Sequence, residues 1–206
     1  MRQLSEEIRN QGGYATYVVA DVGKEEDVNR IAERAISEFG DFDTWVNNAG
    51  ISIFGRCMDV SIPDMKRMFD TDFWGVVYGS RAAANHYQQR GSAGALINVG
   101  SFLGDRAVAV QLTYSAAKHA VHGWTDVLRM ELEADKAPVS VTLIHPGRID
   151  TPYNEHARSY MANQPAHRGM IYPPEAVAEA ILYAACLHSP TYGAALLSLV
   201  CLLSQN

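Results

Sequence analysis

The chain has 206 residues, of which 48% are hydrophobic and 19% are charged, as in ordinary soluble globular proteins. Its net charge of −6, without a run of Lys or Arg, argues against nucleic acid as a partner, because phosphate binding needs clustered positive charge. A polar N-terminal segment and the lack of an apolar run of roughly 20 residues exclude a secretory signal and a membrane partner, so we expect a cytoplasmic protein.

Helical and strand patterns alternate along the chain, which predicts an α/β fold with a largely parallel sheet. The predicted strands cover residues 14–20, 43–47, 95–99 and 139–144. The predicted helices surround Leu4 and Ile8 and cover residues 28–39, 61–89, 113–133 and 174–187. The apolar residues 194–203 predict a buried terminal element. No repeat or linker interrupts residues 1–206, so we predict one domain.

Four predicted strands lead into residues able to contact a ligand: Asp21, Asn47, Ser101 and Pro146. In open α/β sheets, ligands bind just beyond the carboxyl ends of the strands. These four positions are therefore the first candidates for a functional site.

Tyr114 and Lys118 are four residues apart at the start of a predicted helix, so they share one face. A phenol has a reference pKa of about 10, which is too high for proton transfer at neutral pH. An ammonium group about 5 Å away favours a phenolate by roughly 3 kcal/mol. The spacing thus suits a general acid–base pair, although a packed ring beside a solvated charge is the commoner meaning of such a pair.

Ser101 lies thirteen residues before Tyr114, where a strand becomes a loop. A hydroxyl at this position could polarise a substrate carbonyl beside the phenol. The alternative is a turn serine whose side chain bonds its own backbone.

Five motifs in the same order resemble the short-chain dehydrogenase/reductase family, over residues 4–187. They are Asp21-Val22, Asn47-Asn48-Ala49-Gly50, Asn98-Val99-Gly100-Ser101, Tyr114 with Lys118, and Pro146-Gly147 with Thr151. The resemblance implies a Rossmann-like, doubly wound parallel sheet that acts as a homo-oligomer. It also implies hydride transfer between NAD or NADP and a small alcohol, ketone or aldehyde.

The resemblance further implies a role for each matched residue. Tyr114 would exchange a proton with the substrate oxygen, Ser101 would hold that oxygen, and Lys118 would support the tyrosine and bind the nicotinamide ribose. The cofactor contacts would come from these residues and the other motif positions, which are Asp21, Val22, Asn48, Ala49, Gly50, Pro146, Gly147 and Thr151.

Asp72 stands where the family has an asparagine that holds a proton-relaying water. A carboxylate has a similar shape but brings negative charge towards Lys118, so it would either hold water or pair with the lysine. The alternative is that Asp72 faces solvent. We include Asp72 in the predicted catalytic group.

The 16 glycines contain no G-x-G-x-x-G or G-x-x-x-G-x-G motif. This is the loop whose amides bind the cofactor pyrophosphate. We therefore expect an incomplete Rossmann-like domain that lacks the first βαβ unit, and only a loose match to the family at residues 193–206. By itself the chain should bind NAD or NADP weakly or not at all, and the preference between them stays open.

Two other functions are compatible with parts of the sequence. Without the phosphate loop, the chain would be a non-catalytic fragment that acts as an interaction module. Serine hydrolysis through Ser115 and Lys118 would also need the S-D-N and K-T-G motifs of such enzymes, and the sequence lacks both.

Residues 151–170 form the expected substrate lid. Their sequence does not identify the substrate, because such lids vary freely.

The cysteines and histidines show no metal-binding pattern. Cys57, Cys186 and Cys201 are far apart, which is typical of reduced thiols rather than a disulfide framework. No Cys/His cluster has zinc-ligand spacing, so we expect no metal.

Overall fold

The protein is described by a computed structural model that covers residues 1–162 and 170–186. In chain order its elements are α1 (Arg2–Asn10), α2 (Glu25–Phe39), β1 (Thr44–Asn47), β2 (Ile53–Phe54), α3 (Ile62–Phe69), a π-helical turn (Asp70–Trp74), α4 (Gly75–Arg90), β3 (Gly94–Val99), a 3₁₀ turn (Phe102–Gly104), α5 (Leu112–Ala134), β4 (Val139–Ile144), a second 3₁₀ turn (Pro152–Asn154), β5 (Arg158–Ser159) and α6 (Pro174–Cys186).

Three parallel strands form the main sheet, in the order β1-β3-β4. The middle strand, β3, is buried at all six residues, as expected of a parallel strand covered on both faces. The register pairs Val46 with Ile97 and Val99 with Ile144, so all three strands end at the same edge of the sheet. The predicted strands at 43–47, 95–99 and 139–144 are confirmed.

Helices cover both faces of this sheet. On one face α4 and α5 pack against β3 and β4 through a core made by Ala83, Ala84, Tyr87, Leu96, Leu132 and Val141. On the other face α6 packs through Ala184 onto Ile97 and Ile144. The α/β architecture predicted from the alternating pattern is confirmed.

The predicted strand at residues 14–20 is wrong, because this segment makes no strand pairing with the described residues. Tyr14 is 89% exposed and Val19 is 83% exposed, so the alternating apolar residues bury little surface. A strand needs a neighbour to satisfy its backbone groups. Within the described residues β1 pairs with β3 alone, which leaves the other edge of β1 open.

The predicted helix at 61–89 is a continuous helical run with a π turn at Asp70–Trp74. Ser61 caps its start by accepting a hydrogen bond from the Asp64 amide at 3.3 Å. A π turn inserts one extra residue and rotates the side chains that follow. Asp72 lies within this π turn and is buried there.

Some predicted features fall outside the described residues, namely the residues beyond Cys186 and residues 163–169 of the expected lid. None of the described helices has both the length and the apolar character needed to cross a bilayer. Cys57 and Cys186 are exposed free thiols, and Cys201 lies outside the described part.

Candidate active site

Ser101 follows the carboxyl end of β3 and is 7% exposed. Its Oγ accepts a hydrogen bond from the Leu103 amide at 3.1 Å and caps the 3₁₀ turn. The side chain therefore makes the backbone bond expected of a turn serine. Its hydroxyl proton is still available to be donated to a ligand oxygen.

Lys118 is 4% exposed, so it is not the solvated charge of the commoner interpretation. Its Nζ donates to the Val99 carbonyl oxygen at 2.9 Å and lies 5.7 Å from the centroid of the Tyr114 ring. The Tyr114 ring is half-buried and packs against a cluster of Ile53, Val60 and Met68. The β3 carbonyl thus holds the ammonium beside the phenol, at the strand end that also leads to Ser101.

Asp72 is fully buried, so the solvent-facing alternative for this residue is wrong. Its Oδ1 accepts a hydrogen bond from the Ile51 amide at 2.7 Å, whereas its Oδ2 has no partner among the described residues. Burial raises the pKa of the Asp72 carboxyl to about 6, opposed by the positive charge of Lys118 and the Ile51 hydrogen bond.

Gly50 lies between these groups. A Cβ at this position would be 3.6 Å from Asp72 Oδ1 and 3.8 Å from Lys118 Nζ. A side chain larger than hydrogen would therefore fill the space between the carboxylate and the ammonium. The structure brings Gly50, Asp72 and Lys118 together as the motifs predict.

A cleft of about 290 Å³ runs beside the open edge of β1. It contains Val22, Asn48 and Ala49, three of the predicted cofactor contacts, together with Thr71 and Gly75. Side chains from α2 and β1 give the cleft a largely apolar lining. Val22 of the first motif thus shares one cavity with Asn47, Asn48 and Ala49 of the second.

Asp21 binds a neighbouring side chain of the protein. Its carboxylate pairs with Arg67 at 3.0 Å and accepts a hydrogen bond from the Gly23 amide. The hydrogen bond from Arg67 is the main reason why the pKa of the Asp21 carboxyl is lowered. A ligand contact through this carboxylate would have to share it with Arg67.

The Pro146-Gly147 turn lies next to the Ser101 loop, since the Pro146 carbonyl oxygen accepts from the Phe102 amide at 3.0 Å. The space around Gly147 is open, with no atom within 4 Å of an added Cβ. Thr151 precedes the second 3₁₀ turn and makes no capping bond to it.

Comparison with known proteins identifies the family. Residues 1–162 match the family profile described as short chain dehydrogenase. The chain belongs to the short-chain dehydrogenase family. This assignment confirms the resemblance, and with it an oxidoreductase family and the Rossmann-like α/β fold.

Individual relatives agree with the short-chain dehydrogenase assignment. An uncharacterized oxidoreductase, YxnA, of Bacillus subtilis is 69% identical over 90% of this chain and 52% of its own length. A diacetyl reductase [(S)-acetoin forming] of Staphylococcus epidermidis is 32% identical over 72% of this chain and 57% of its own length. The chain therefore spans about half the length of the curated relatives it matches.

A solved structure shows the same fold. The crystal structure of a short-chain dehydrogenase/reductase from Burkholderia phymatum in complex with NAD has a TM-score of 0.74 and 22% identity. The match covers 95% of this chain and 67% of that one. At this identity the likeness concerns the fold.

Tyr153 reaches this short-chain dehydrogenase site from the expected lid. Its ring meets that of Tyr114 edge-on at 6.4 Å, and its hydroxyl interacts with the hydroxyls of Tyr114 and Ser52. Burial, with the nearby Tyr114 and Asp72, raises the pKa of the Tyr153 phenol, which stays protonated. The sequence placed Tyr153 in the lid, but nothing in its spacing showed that it reaches Tyr114.

A buried amide network supports the strand ends. Asn47 Nδ2 donates to Asn98 Oδ1 at 2.8 Å, and Asn98 Nδ2 donates to Thr125 Oγ1 at 3.0 Å. The network ties β1 and β3 to α5, the helix that carries Tyr114 and Lys118. Sequence reasoning assigned no role to Thr125, because only the packed fold brings it to the asparagines.

Replacing Asp72 by asparagine should change how the stability of this chain depends on pH. The pKa of Asp72 is about 6 in the folded state, above its ordinary value of 3.8. Protonation of Asp72 therefore stabilises the folded state fully below pH 3.8, and this stabilisation is lost as the pH rises through 6. The variant lacks this titration. Its free energy of unfolding relative to wild type should therefore rise by about 2 kcal/mol from pH 4 to pH 7.5.

Urea unfolding across this pH range measures the difference, with the exposed Asp59→Asn as the matched control. Asp59→Asn should follow the wild-type curve. If wild type and Asp72→Asn gave parallel curves, Asp72 would not carry the buried titration.

Proposed function

We propose that this chain supplies the Ser–Tyr–Lys group of an NAD- or NADP-dependent oxidoreductase that interconverts a small alcohol and a ketone or aldehyde. The observation that carries the proposal is the burial of Lys118 beside the Tyr114 ring, at the strand end that leads to Ser101. Lysine side chains are rarely fully buried unless they are paired. A tyrosine and a lysine that only pack together would not need a buried ammonium group. Membership of the family supports the reaction class.

The residues present fit the nicotinamide end of such a cofactor. Lys118 Nζ donates one of its three hydrogens to the Val99 carbonyl oxygen, so two can be donated to a ligand. The space around Gly147 is open, so a ligand can approach its backbone. Lys118 would hold the ribose, and Asn48, Gly50, Pro146, Gly147 and Thr151 would surround the nicotinamide. Val22 and Ala49 would line the adenine side, with Asp21 partly engaged by Arg67. When bound, the nicotinamide supplies or accepts the hydride.

The protein's own groups would handle the proton. During reduction, Tyr114 Oη gives its proton to the substrate oxygen, while the Ser101 hydroxyl donates a hydrogen bond to the same oxygen. The Lys118 ammonium stabilises the phenolate left on Tyr114. Buried Asp72, with Oδ2 unpartnered, would accept a hydrogen bond from a water between Gly50 and Lys118.

A chimera tests the proposal. In it, the glycine-rich strand–loop–helix–strand unit of a family member is fused ahead of Arg2. Consumption of NADH or NADPH is followed with small diketones, hydroxyketones and aldehydes, a class suggested by the diacetyl reductase relative. Carbonyl-dependent consumption supports the proposal. A chimera that folds and binds cofactor but turns over no carbonyl or alcohol would contradict it.

Two further features belong to the same proposal. A homo-oligomer is supported by exposed apolar residues on α5, where Val127 is 54% exposed and Met130 is 64% exposed. A cytoplasmic location is supported by the free thiols of Cys57 and Cys186.

Tyr153→Phe in the chimera should lower KM for the carbonyl substrate about fivefold and leave kcat nearly unchanged. The Tyr153 hydroxyl competes with the substrate oxygen for Tyr114, and a net hydrogen bond is worth about 1 kcal/mol. Steady-state kinetics measures both constants, with Tyr183→Phe on the exposed side of α6 as the control. A kcat loss above about tenfold at constant KM would instead indicate that Tyr153 takes part in proton transfer.

A further inference from the structure

Three side chains of types that commonly bind metal ions, one aspartate and two histidines, lie together behind the Ser101 loop. Asp105 follows the first 3₁₀ turn, His122 lies one helical turn after Lys118 on α5, and His145 follows the end of β4. One ligand atom from each lies within 4.8 Å of the other two. Neither the acid–base group nor the predicted cofactor contacts include any of the three.

The distances suit a single small ion. His122 Nδ1 is 3.2 Å from Asp105 Oδ1, and His145 Nδ1 is 3.1 Å from Asp105 Oδ2. Ligand atoms around a tetrahedral ion with bonds of about 2.0–2.1 Å lie roughly 3.3 Å apart. Each imidazole is therefore already at nearly this distance from one oxygen of the Asp105 carboxylate, and one ligand atom from each of the three residues lies within 4.8 Å of the others.

The surrounding backbone holds His122 in one orientation. The residue is 8% exposed, and a Cβ on Gly100 would lie 2.7 Å from its Nε2. Gly104 approaches the same ring atom even more closely. These two glycines let the Ser101 loop close over the imidazole at Nε2, while Nδ1 faces Asp105.

Asp105 is about half exposed and gives an ion a path from solvent.

We propose that Asp105, His122 and His145 form a binding site for a late first-row divalent metal ion, best matched by Zn²⁺, with water as the fourth ligand. Two imidazoles and one carboxylate are typical ligands for zinc and cobalt, whereas Mg²⁺ and Ca²⁺ prefer oxygen atoms alone. The ion would join the Ser101 loop, the helix of Tyr114 and Lys118, and the turn at Pro146. Its role would be to fix these three segments relative to one another.

The sequence could not reveal this site, because Asp105 and His122 are 17 residues apart and His145 is 40 residues from Asp105. Short zinc motifs place paired ligands with two to five residues between them. Here each ligand comes from a different element, and the parallel sheet brings them together. The expectation of no metal rested on spacing alone.

The chain also contains a natural control. His86 Nε2 contacts Asp41 at 2.5 Å, but Arg90 pairs with the same carboxylate at 2.8 Å, and no second histidine in the described part of the chain joins them. This pair has one imidazole and a competing cation. We expect it to bind no metal tightly.

The test uses the purified chain without a histidine tag, titrated with ZnCl₂ and with CoCl₂ after chelator treatment. Calorimetry should show one strong site, and bound Co²⁺ should show the intense visible absorption of a tetrahedral ion. At 100 times Kd, Zn²⁺ should raise Tm by about 5–10 °C. Asp105→Asn and His145→Gln should each weaken binding at least about tenfold, and Asp41→Asn should not change it.

Two results would overturn the proposal. One is the absence of a stoichiometric site for either ion. The other is equal affinity in wild type and Asp105→Asn, which would mean that the carboxylate only accepts hydrogen bonds from two imidazoles. Far-UV circular dichroism checks each variant, and if His145→Gln fails to fold, the nearly isosteric Asp105→Asn decides.

Discussion

Replacing Tyr114 by phenylalanine in the chimera should reduce turnover by about 10²–10⁴, the usual contribution of a positioned general acid–base. The hydroxyl is the only group removed. The ring still packs against Ile53, Val60 and Met68, so the fold and its stability should be nearly unchanged.

The Lys118→Met variant should be almost as inactive. The long apolar side chain fills the space, but the Val99 carbonyl loses its donor and the phenolate loses its nearby positive charge. An unsatisfied buried acceptor costs about 1–3 kcal/mol, so this variant should also be less stable. If Lys118→Met lost stability and Tyr114→Phe did not, the two variants would distinguish the lysine, which also supports the fold, from the tyrosine hydroxyl, which acts in proton transfer.

Initial rates with saturating cofactor and substrate measure the effect. Tyr87→Phe is the matched control, because it removes a buried hydroxyl that donates to the Ala95 carbonyl at 3.2 Å, away from the site. Its turnover should match that of the unsubstituted chimera. If Tyr114→Phe kept more than about a tenth of the turnover, Tyr114 would not be the acid–base.

The second large effect concerns the cofactor. The 206 residues, assayed alone, should bind NADH and NADPH at least about 100-fold more weakly than the chimera does, which corresponds to about 2.7 kcal/mol. Much of the affinity for a dinucleotide comes from backbone amides and a helix N-terminus around its pyrophosphate. No glycine-rich loop of that kind occurs in the sequence.

The groups that are present cannot replace that loop. Within the described residues the cleft beside β1 has a largely apolar lining, and the Asp21 carboxylate is already paired with Arg67. Tyr153 lies against Tyr114 and occupies space beside the proposed acid–base group. The contacts that remain in the proposed site would be those to the adenine, the ribose and the nicotinamide, without a phosphate cradle.

Cofactor fluorescence or calorimetry gives both affinities. Lys118→Met in the chimera is the matched comparison, because it removes a proposed ribose contact but keeps the phosphate loop. This variant should lose less cofactor affinity than removal of the whole glycine-rich unit does. Micromolar binding by the chain alone, about −8 kcal/mol, would show that the remaining contacts suffice. It would also remove the reason for considering a non-catalytic interaction module.

The sequence by itself determined the features that depend on near neighbours. The alternation of helical and strand patterns predicted the α/β fold, and the bounds of β4 agree with the prediction at both ends. The spacing of Tyr114 and Lys118 predicted a shared helix face, and the pattern before Ser101 predicted the strand end that the structure has there. Hydrophobic period and helix geometry act over a few residues, so they can be read from a single chain.

The tertiary structure decided what depends on distant contacts. Residues 14–20 have a strand pattern but pair with nothing in the described part, because a strand is stable only beside another strand. Asp72 lies fully buried in the π turn, and this burial raises the pKa of its carboxyl. The meeting of Asp105, His122 and His145 depends on how a loop, a helix and a strand end pack, and no local pattern encodes that packing.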